Sequence, residues 1–258
     1  MTISRIYHPR EMETGDRCRL TGEDRQYVVS VLRMKQGEGL LLFDGTGREY
    51  DAVILGHDRE SVLLEIRGKK IIQEETINIT LAQSLPKAKK MDFIIEKACE
   101  LGASRIIPFL SARSVPRFAP EKTGLKQARW QKIALEAARK CHSRSIPEVG
   151  NILGFKKMLQ SAGEDAAKII FWEEETRRNF KQVLQEKGKE VIGDFFLVVG
   201  PEGGFAEEEI ELAESMNFTS VSLGKQILKV ETAALAILSV IQYEKGAFGS
   251  VRKKGETL

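Results

Sequence analysis

A glycine-rich loop between an apolar run and an acidic run is the feature of this sequence with the clearest chemical meaning. The apolar run FFLVV, residues 195–199, predicts a strand, and GPEGG follows it directly at 200–204. The helix predicted next opens with glutamates at 207–209. Helix N-termini attract anions, but these acids already meet that positive end, and Glu202 adds a further negative charge. The pattern therefore favours a ligand that is neutral or cationic where it meets the loop.

Known phosphate-binding motifs do not fit this loop. A P-loop reads Gly-x-x-x-x-Gly-Lys-Ser/Thr and a dinucleotide loop reads Gly-x-Gly-x-x-Gly, and GPEGG matches neither. S-adenosylmethionine, with a sulfonium and an uncharged adenosine, is one ligand that suits an acidic loop. A simpler alternative stays open, in which the acids stabilise the helix through its dipole and the glycines form a turn.

A second loop of interest follows another predicted strand. The strand pattern TSVSL ends at Leu223-Gly224, and an apolar loop leads from there into a helix near Thr232. Ligands of open α/β sheets bind outside the carboxyl ends of the strands. We therefore expect ligand chemistry at both loops.

The elements that position these loops change character along the chain. Residues 1–72 predict short strands, a hairpin at Asp44-Gly45 and one helix opened by a Thr21/Asp24 capping box, which together fit a small β-barrel. From residue 76 onward, strands alternate with helices, a pattern typical of a mostly parallel sheet covered on both faces. We predict a β-rich domain over 1–72, an α/β domain over 76–246 and a loose tail over 247–258.

Composition excludes several classes of protein. The 258 residues are 42% hydrophobic and 30% charged, as in globular domains. Three scattered cysteines and the absence of metal-ligand spacing argue against a disulfide framework or a metal site, and they favour a cytoplasmic location. The longest strongly apolar stretch, 233–241, is about half of the roughly 20 residues that a membrane span needs. We expect no membrane segment, no targeting segment and no metal.

Charge is unevenly distributed along the chain. The net charge is only +3, but residues 84–145 carry 14 Lys and Arg against 5 Asp and Glu, whereas residues 1–72 carry 12 of each. A basic middle in a nearly neutral chain indicates a polyanionic partner. Solvated helix faces rich in lysine are the simpler alternative.

Both loops resemble the paired signature of the SPOUT methyltransferases. The resemblance is strongest to the ribosomal small-subunit methyltransferase E family, and it covers most of the chain. It is carried by LVVGPEGGF and VSLGKQILKVETAALA, and further by QSLPKAKKMDFIIEKACELGA, ARSVPRF, RWQKIALEAA, IPEV, VLRM and DGTGREYDA. It implies an N-terminal PUA-like β-barrel that binds RNA and a C-terminal α/β methyltransferase domain with a trefoil knot, assembled as a homodimer.

The resemblance also implies an activity and a cofactor pocket. The activity is S-adenosylmethionine-dependent methylation of N3 of a uridine in 16S ribosomal RNA, either free or in the assembled small subunit. Trp172 and Glu173 would border the pocket. Its two walls would be formed by Val199, Gly200, Pro201, Glu202 and Gly203, and by Leu223, Gly224, Ile227 and Leu228. A side chain at position 203, as in Gly203→Val, is expected to enter the ligand's space and weaken cofactor binding.

Four residues are candidates for catalysis. Uridine N3 must lose a proton, which a base can accept, or cations can stabilise the uridine anion. Glu202 is a candidate base or neighbour of the sulfonium, Lys229 and Arg113 are candidate cations, and Thr232 is a candidate positioning hydroxyl. Glu202 as a loop carboxylate bonded to backbone, and Thr232 as a helix N-cap, are the simpler alternatives. We favour electrostatic stabilisation over a dedicated base.

Cations of the basic middle and of the N-terminal domain are candidate RNA contacts. Long cationic side chains can meet phosphates without base specificity. The candidates are Arg10, Arg33, Lys87, Lys89, Lys90, Arg113, Arg117, Arg129, Arg139 and Lys140.

The sequence departs from the family pattern at four places. Lys225-Gln226 stands where Pro-Arg is usual, Lys229 replaces an arginine, Arg139-Lys140 replaces Glu-Gln, and Arg25-Gln26-Tyr27 lacks a histidine. These changes affect RNA contacts more than the cofactor loops. Methylation of another RNA or another nucleotide atom, and a non-catalytic RNA-binding or assembly role, are the alternatives. The acidic loop disfavours an enzyme that acts on nucleotide phosphates.

Overall fold

The structure, a computed structural model, describes residues 5–71, 77–115, 123–141, 143, 145–187, 194–246 and 248. These residues form two compact units. The first contains the described residues up to 71 and those within 138–146, and the second contains those within 77–137 and from 147 onward. The ranges 1–72 and 76–246 stay predictions, to which the structure adds the segment 138–146. The predicted tail, 247–258, lies outside the described residues except for Phe248.

The first unit is built on a five-stranded sheet. Its strands pair in the order β1-β3-β4-β5-β2, with β1 parallel to β3 and the other pairs antiparallel. The strands are β1 Arg5–Tyr7, β2 Arg17–Thr21, β3 Gly39–Phe43, β4 Arg48–His57 and β5 Ser61–Ile71. The predicted hairpin at Asp44-Gly45 is confirmed, since it joins β3 to β4.

The predicted helix of this unit is present but begins without its capping box. Helix α1, Gly22–Gln26, continues into a π-helical turn, Tyr27–Val31. Thr21 is the N-cap residue but makes no side-chain capping hydrogen bond, so that part of the prediction is wrong. The Asp24 carboxylate instead accepts a hydrogen bond from Arg139 Nη2 at 2.9 Å.

The second unit is built on a parallel sheet. Its strands pair in the order β12-β10-β11-β6-β7-β8, with β9 also paired to β7, and every described pair is parallel. The strands are β6 Asn78–Ser84, β7 Arg105–Leu110, β8 Glu148–Val149, β9 Leu153–Gly154, β10 Ala167–Phe171, β11 Asp194–Val199 and β12 Thr219–Val221.

Helices cover both faces of this sheet, as the alternation of strands and helices predicts. Successive residues of one strand enter opposite apolar clusters: Leu197 belongs to the first and Val198 to the second. Gly102 ends the first helix with a φ of +76°, a conformation that suits glycine. The helices are α2 Lys90–Glu100, α3 Thr123–Lys140, α4 Phe155–Gln160, α5 Phe180–Lys187, α6 Glu207–Ser215 and α7 Val230–Glu244.

Candidate cofactor and active site

A cavity of about 510 Å³ opens at the carboxyl ends of β10, β11 and β12. The strand register places Phe171 opposite both Val199 and Val221, so the loops that follow these three strands converge. Trp172 and Glu173 line the cavity, as expected. So do eight of the nine candidate cofactor residues: Val199, Gly200, Pro201, Glu202, Leu223, Gly224, Ile227 and Leu228.

Gly203 is the candidate that does not line the cavity. A Cβ built on Gly203 would lie 3.2 Å from Arg113 Cβ, so a side chain there would meet the loop after β7. A valine at position 203 would therefore press against Arg113 first, and not enter the cavity directly as expected. The next residue, Gly204, lines the cavity instead.

The first loop, residues 200–204, is a tight turn in which two positions require glycine. The Gly204 N–H donates to the Pro201 carbonyl at 3.0 Å and closes the turn. Gly204 has a φ of +68°, in the left-handed region that favours glycine. At Gly200 an added Cβ would lie 3.0 Å from the ring of Phe205, which is buried against Phe109 and Phe155.

The second loop, residues 222–229, is more open. Gly224 has a φ of +119°, and its N–H donates to Ser222 Oγ at 3.2 Å. Ile227 is 87% exposed, although it is a large apolar residue that lines the cavity. Such a side chain gains from a ligand that covers it.

One lysine at the cavity links the first loop to the first turn of α7. Lys90 Nζ lies 3.0 Å from Glu202 Oε1 and 3.1 Å from Glu231 Oε2, and all three residues line the cavity. The backbone N–H of Lys87 also donates to the Glu202 carboxylate, at 3.2 and 3.3 Å. Glu202 is thus a loop carboxylate bonded to backbone, as the simpler alternative supposed, and it is also half of an ion pair.

These contacts keep the cluster of Lys90, Glu202 and Glu231 ionised. Burial by itself raises the pKa of Glu202, but hydrogen bonds from its own N–H, from Lys90 and from Lys87 outweigh burial and lower it. Hydrogen bonding to its own N–H, assisted by Lys90, lowers the pKa of Glu231. Hydrogen bonds to Glu202 and then Glu231 raise the pKa of Lys90. A carboxylate with a lowered pKa is a poor proton acceptor, so this geometry favours Glu202 as a fixed charge.

Arg113 is held against the first loop. Its Nη1 donates to the Gly203 carbonyl at 3.1 Å. The loop that carries it is fixed by Glu209, which is only 9% exposed: Glu209 Oε1 accepts from the Ala112 N–H at 2.9 Å and Oε2 from the Ala206 N–H at 3.0 Å. Glu209 thus meets the N-terminus of its own helix, as the acidic run suggested.

Lys229 and Thr232 differ in their relation to the cavity. Lys229 lines it and is the N-cap residue of α7. Thr232 is exposed, lies inside the first turn of the helix, and is not among the residues that line the cavity. The alternative that Thr232 is the N-cap is therefore wrong, because the helix begins two residues earlier.

Sequence reasoning missed one residue of the neighbouring strand β6 that bonds to the start of the first loop. Gln83 is fully buried at the end of β6, and its Nε2 lies 3.4 Å from the carbonyls of both Val199 and Gly200. Its only sequence signal is a polar residue inside an apolar strand pattern.

The candidate RNA contacts divide into paired and solvent-facing cations. Arg129 pairs with Asp92, Arg139 with Asp24, and Lys90 with its two glutamates, so part of their charge is used inside the fold. Lys87, Lys89, Lys140, Arg33 and Arg10 are exposed, and Arg10 lines a separate cavity of the first unit with Arg17 and Arg19. Arg117 lies outside the described residues.

The described residues hold neither a cluster suited to a metal ion nor a helix suited to a membrane. Within the described part of the chain, no group of three His, Cys, Asp or Glu residues is placed to hold a metal ion. None of the helices in that part combines the length and apolarity needed to cross a membrane.

Comparison with known families agrees with the fold and the cavity. Residues 73–242 match the family described as RNA methyltransferase domain, and residues 20–67 match the family described as RNA methyltransferase PUA domain. The class is therefore that of RNA methyltransferases with a PUA domain.

Individual relatives give the particular family. Ribosomal RNA small subunit methyltransferase E of Bacillus subtilis is 31% identical over 242 residues, which cover 91% of this chain and 93% of the relative. Ribosomal RNA small subunit methyltransferase E from Neisseria gonorrhoeae, solved bound to S-adenosyl methionine, is 30% identical with a TM-score of 0.83, covering 94% and 98% of the two chains. A methyltransferase from Legionella pneumophila, solved with the bound cofactor, is 31% identical with a TM-score of 0.78, covering 95% and 98%. This chain belongs to the ribosomal RNA small subunit methyltransferase E family.

Family membership confirms the predicted fold class, an α/β methyltransferase domain of the SPOUT type with a PUA-like N-terminal domain. The trefoil knot, the homodimer and the roles of individual site residues stay predictions.

Proposed function

We propose that this chain transfers a methyl group from S-adenosylmethionine to N3 of a uridine in 16S ribosomal RNA of the small subunit. The observation that carries the proposal is the cavity where both glycine-containing loops converge. The relatives from Neisseria gonorrhoeae and Legionella pneumophila, solved with this cofactor, support the choice of methyl donor. The resemblance in the sequence is the support for uridine N3.

The residues present fit S-adenosylmethionine. The volume of about 510 Å³ lies within the usual range for small-molecule sites. Leu223, Ile227 and Leu228 supply apolar surface for adenine. Trp172 adds an aromatic side chain to the lining of the cavity.

The chain's own groups then have distinct tasks. Methyl transfer forms an N3–CH₃ bond and breaks the S–CH₃ bond, whose electron pair stays on sulfur, while the N3 proton leaves to solvent. Glu202 supplies fixed negative charge, because Lys90 and Lys87 hold it ionised. Arg113 and Lys229 are the cations proposed to stabilise the uridine anion, and Thr232 the hydroxyl proposed to orient the nucleotide. N3 takes part in base pairing, so the target uridine must be unpaired or flipped.

The proposed location is the cytoplasm, where ribosomal RNA is modified, and the proposed assembly is a homodimer. The exposed cations Lys87, Lys89 and Lys140 of the basic middle, and Arg10 and Arg33 of the first unit, are proposed to meet RNA phosphates.

Transfer of a labelled methyl group tests the proposal. The protein is incubated with labelled cofactor and either naked 16S RNA or assembled small subunits, and the modified nucleotide is mapped. We expect 3-methyluridine at one position. Label on another atom or another RNA would contradict the assignment, and cofactor binding without any transfer would favour a non-catalytic role.

A further inference from the structure

The cluster of Lys90, Glu202 and Glu231 carries two negative charges and one positive charge. One ammonium lies 3.0 and 3.1 Å from two carboxylates, one in the first loop and one in the first turn of α7. The three side chains are between 24% and 32% exposed, so water screens them only in part. One negative charge in the cavity wall is therefore left without a partner in the cluster.

Three other charged residues line the cavity. Glu173, Lys225 and Lys229 are all exposed, so solvent weakens their effect on a ligand. Among these three residues, Lys229 interacts directly with the cluster, since its positive charge helps to lower the pKa of Glu231. The formal charges of these three sum to +1, but they lie in the more hydrated part of the lining.

The proposed reaction changes the charge of what the cavity holds. Before transfer, the donor has a sulfonium, which carries one positive charge. After transfer, the sulfur is a neutral thioether, because it keeps the electron pair of the broken S–CH₃ bond. A negative wall distinguishes these two molecules, and an apolar wall does not.

We propose that Lys90, Glu202 and Glu231 set the preference of the cavity for the sulfonium donor over the thioether product. Glu202 and Glu231 supply the discriminating charge, and Lys90 offsets one unit of it while linking the first loop to α7. The consequence is that these charges stabilise the bound donor more than the bound product. This inference rests on the proposed function, because it takes S-adenosylmethionine as the donor.

Calorimetry with S-adenosylmethionine and with S-adenosylhomocysteine tests the inference. The quantity compared is the ratio of the two dissociation constants. Glu231→Gln makes the cluster neutral and is expected to reduce the preference for the donor by about five-fold, the scale of one charge at several ångströms in partly hydrated surroundings. Lys90→Gln removes the offsetting charge and is expected to increase the preference by a similar factor.

The chain offers a matched control for each variant. Lys97 lies on the same helix as Lys90 and also bridges two glutamates, Glu96 at 2.9 Å and Glu100 at 2.7 Å, but it does not line the cavity. Glu208 occupies the same second position of α6 that Glu231 occupies in α7. Lys97→Gln and Glu208→Gln are expected to leave the ratio unchanged.

The outcomes separate this inference from the function on which it rests. Opposite shifts of the ratio in Lys90→Gln and Glu231→Gln support it. Equal loss of both affinities, with the ratio constant, would overturn it and leave the cofactor assignment intact. Binding of neither molecule to the unaltered protein would overturn the cofactor assignment itself.

Discussion

The loop after β11 and the loop after β12 face the same cavity but are held by very different numbers of bonds. In the first loop, Glu202 bonds to Lys87 and Lys90, and the Gly203 carbonyl accepts from Arg113. In the second loop, Ser222 exchanges backbone hydrogen bonds with Arg178 and Phe180, but residues 225–228 make no hydrogen bond to the rest of the described chain.

This difference separates two ways of making a ligand site. The first loop is in place before a ligand arrives, so binding costs it little conformational entropy. The second loop, with Ile227 exposed, gains its contacts from the ligand. We therefore expect changes in the first loop to reduce the free energy of unfolding, and changes in the second to reduce affinity with little effect on that free energy.

Glu209→Ala is expected to have the largest effect on stability. It removes two hydrogen bonds in which an ionised carboxylate accepts from the partly buried N–H groups of Ala112 and Ala206, and together these are worth about 3 kcal/mol of unfolding free energy. Denaturant unfolding measures this loss. The control Glu208→Ala, at an exposed neighbour, should change stability by no more than about 0.5 kcal/mol. Equal losses in both variants would show that Glu209 does not anchor the first loop.

Gly200→Ala compares the two loops directly with Gly224→Ala. The new Cβ at 200 meets the buried ring of Phe205 at 3.0 Å, and such overpacking costs about 2 kcal/mol of unfolding free energy. At 224 a Cβ meets no atom within 4 Å, so only the strain of the positive φ remains, about 1 kcal/mol. Thermal and denaturant unfolding of both variants give the comparison. A larger loss at 224 would reverse the assignment of rigid and open loops.

The pH dependence of the first loop is expected to be smaller still. Because the pKa of Glu202 is lowered in the folded chain, its contribution is complete above the ordinary glutamate pKa of about 4.3 and is lost as the pH falls through the folded value. At pH 7, Glu202→Gln should cost less than about 1 kcal/mol, since the carboxylate is partly exposed. Urea unfolding from pH 7 to pH 3 should show that the difference in unfolding free energy between the unaltered protein and Glu202→Gln becomes smaller as the pH falls. A difference that stays constant over this pH range would contradict the link between the lowered pKa of Glu202 and stability.

Ile227→Ala is expected to have the smallest effect on stability and a clear effect on binding. The side chain is 87% exposed, so its loss should change the unfolding free energy by less than about 0.5 kcal/mol. Its apolar surface should be covered by the ligand, so affinity for S-adenosylmethionine should fall about five-fold. Leu125→Ala, at another exposed apolar residue on α3, is the control. An Ile227→Ala variant with unchanged affinity would place the ligand away from the second loop.

Sequence pattern predicted the elements well because local physics decides them. The hairpin at Asp44-Gly45, the helix ended by Gly102 and the parallel sheet follow from turn chemistry and periodicity, and the structure confirms them. The capping box at Thr21 is absent, and the Asp24 carboxylate bonds instead to a distant residue, Arg139, which no local pattern reveals.

Long-range pairing explains what could not be predicted in the candidate site. Glu202 and Lys90 are 112 positions apart in the chain, so their ion pair exists only in the folded sheet. The same holds for Glu209, which accepts a hydrogen bond from Ala112, a loop residue 97 positions earlier in the chain. Gly203 could not be separated from Gly204, because which glycine faces the cavity depends on the exact turn.

The discontinuous first unit has a consequence for synthesis on the ribosome. Residues within 138–146 belong to it: Arg5 donates to the Ser143 carbonyl, Arg139 pairs with Asp24, and Thr46 forms a β-bridge with Ser145. These contacts cannot form until about 146 residues have left the exit tunnel, although the sheet itself ends at Ile71. During synthesis, the N-terminal unit therefore cannot complete its contacts until residues 77–137 of the second unit have also been translated. A fragment that ends at residue 72 would lack the contacts with residues 138–146. Its thermal stability should therefore rise when a peptide of residues 138–146 is added.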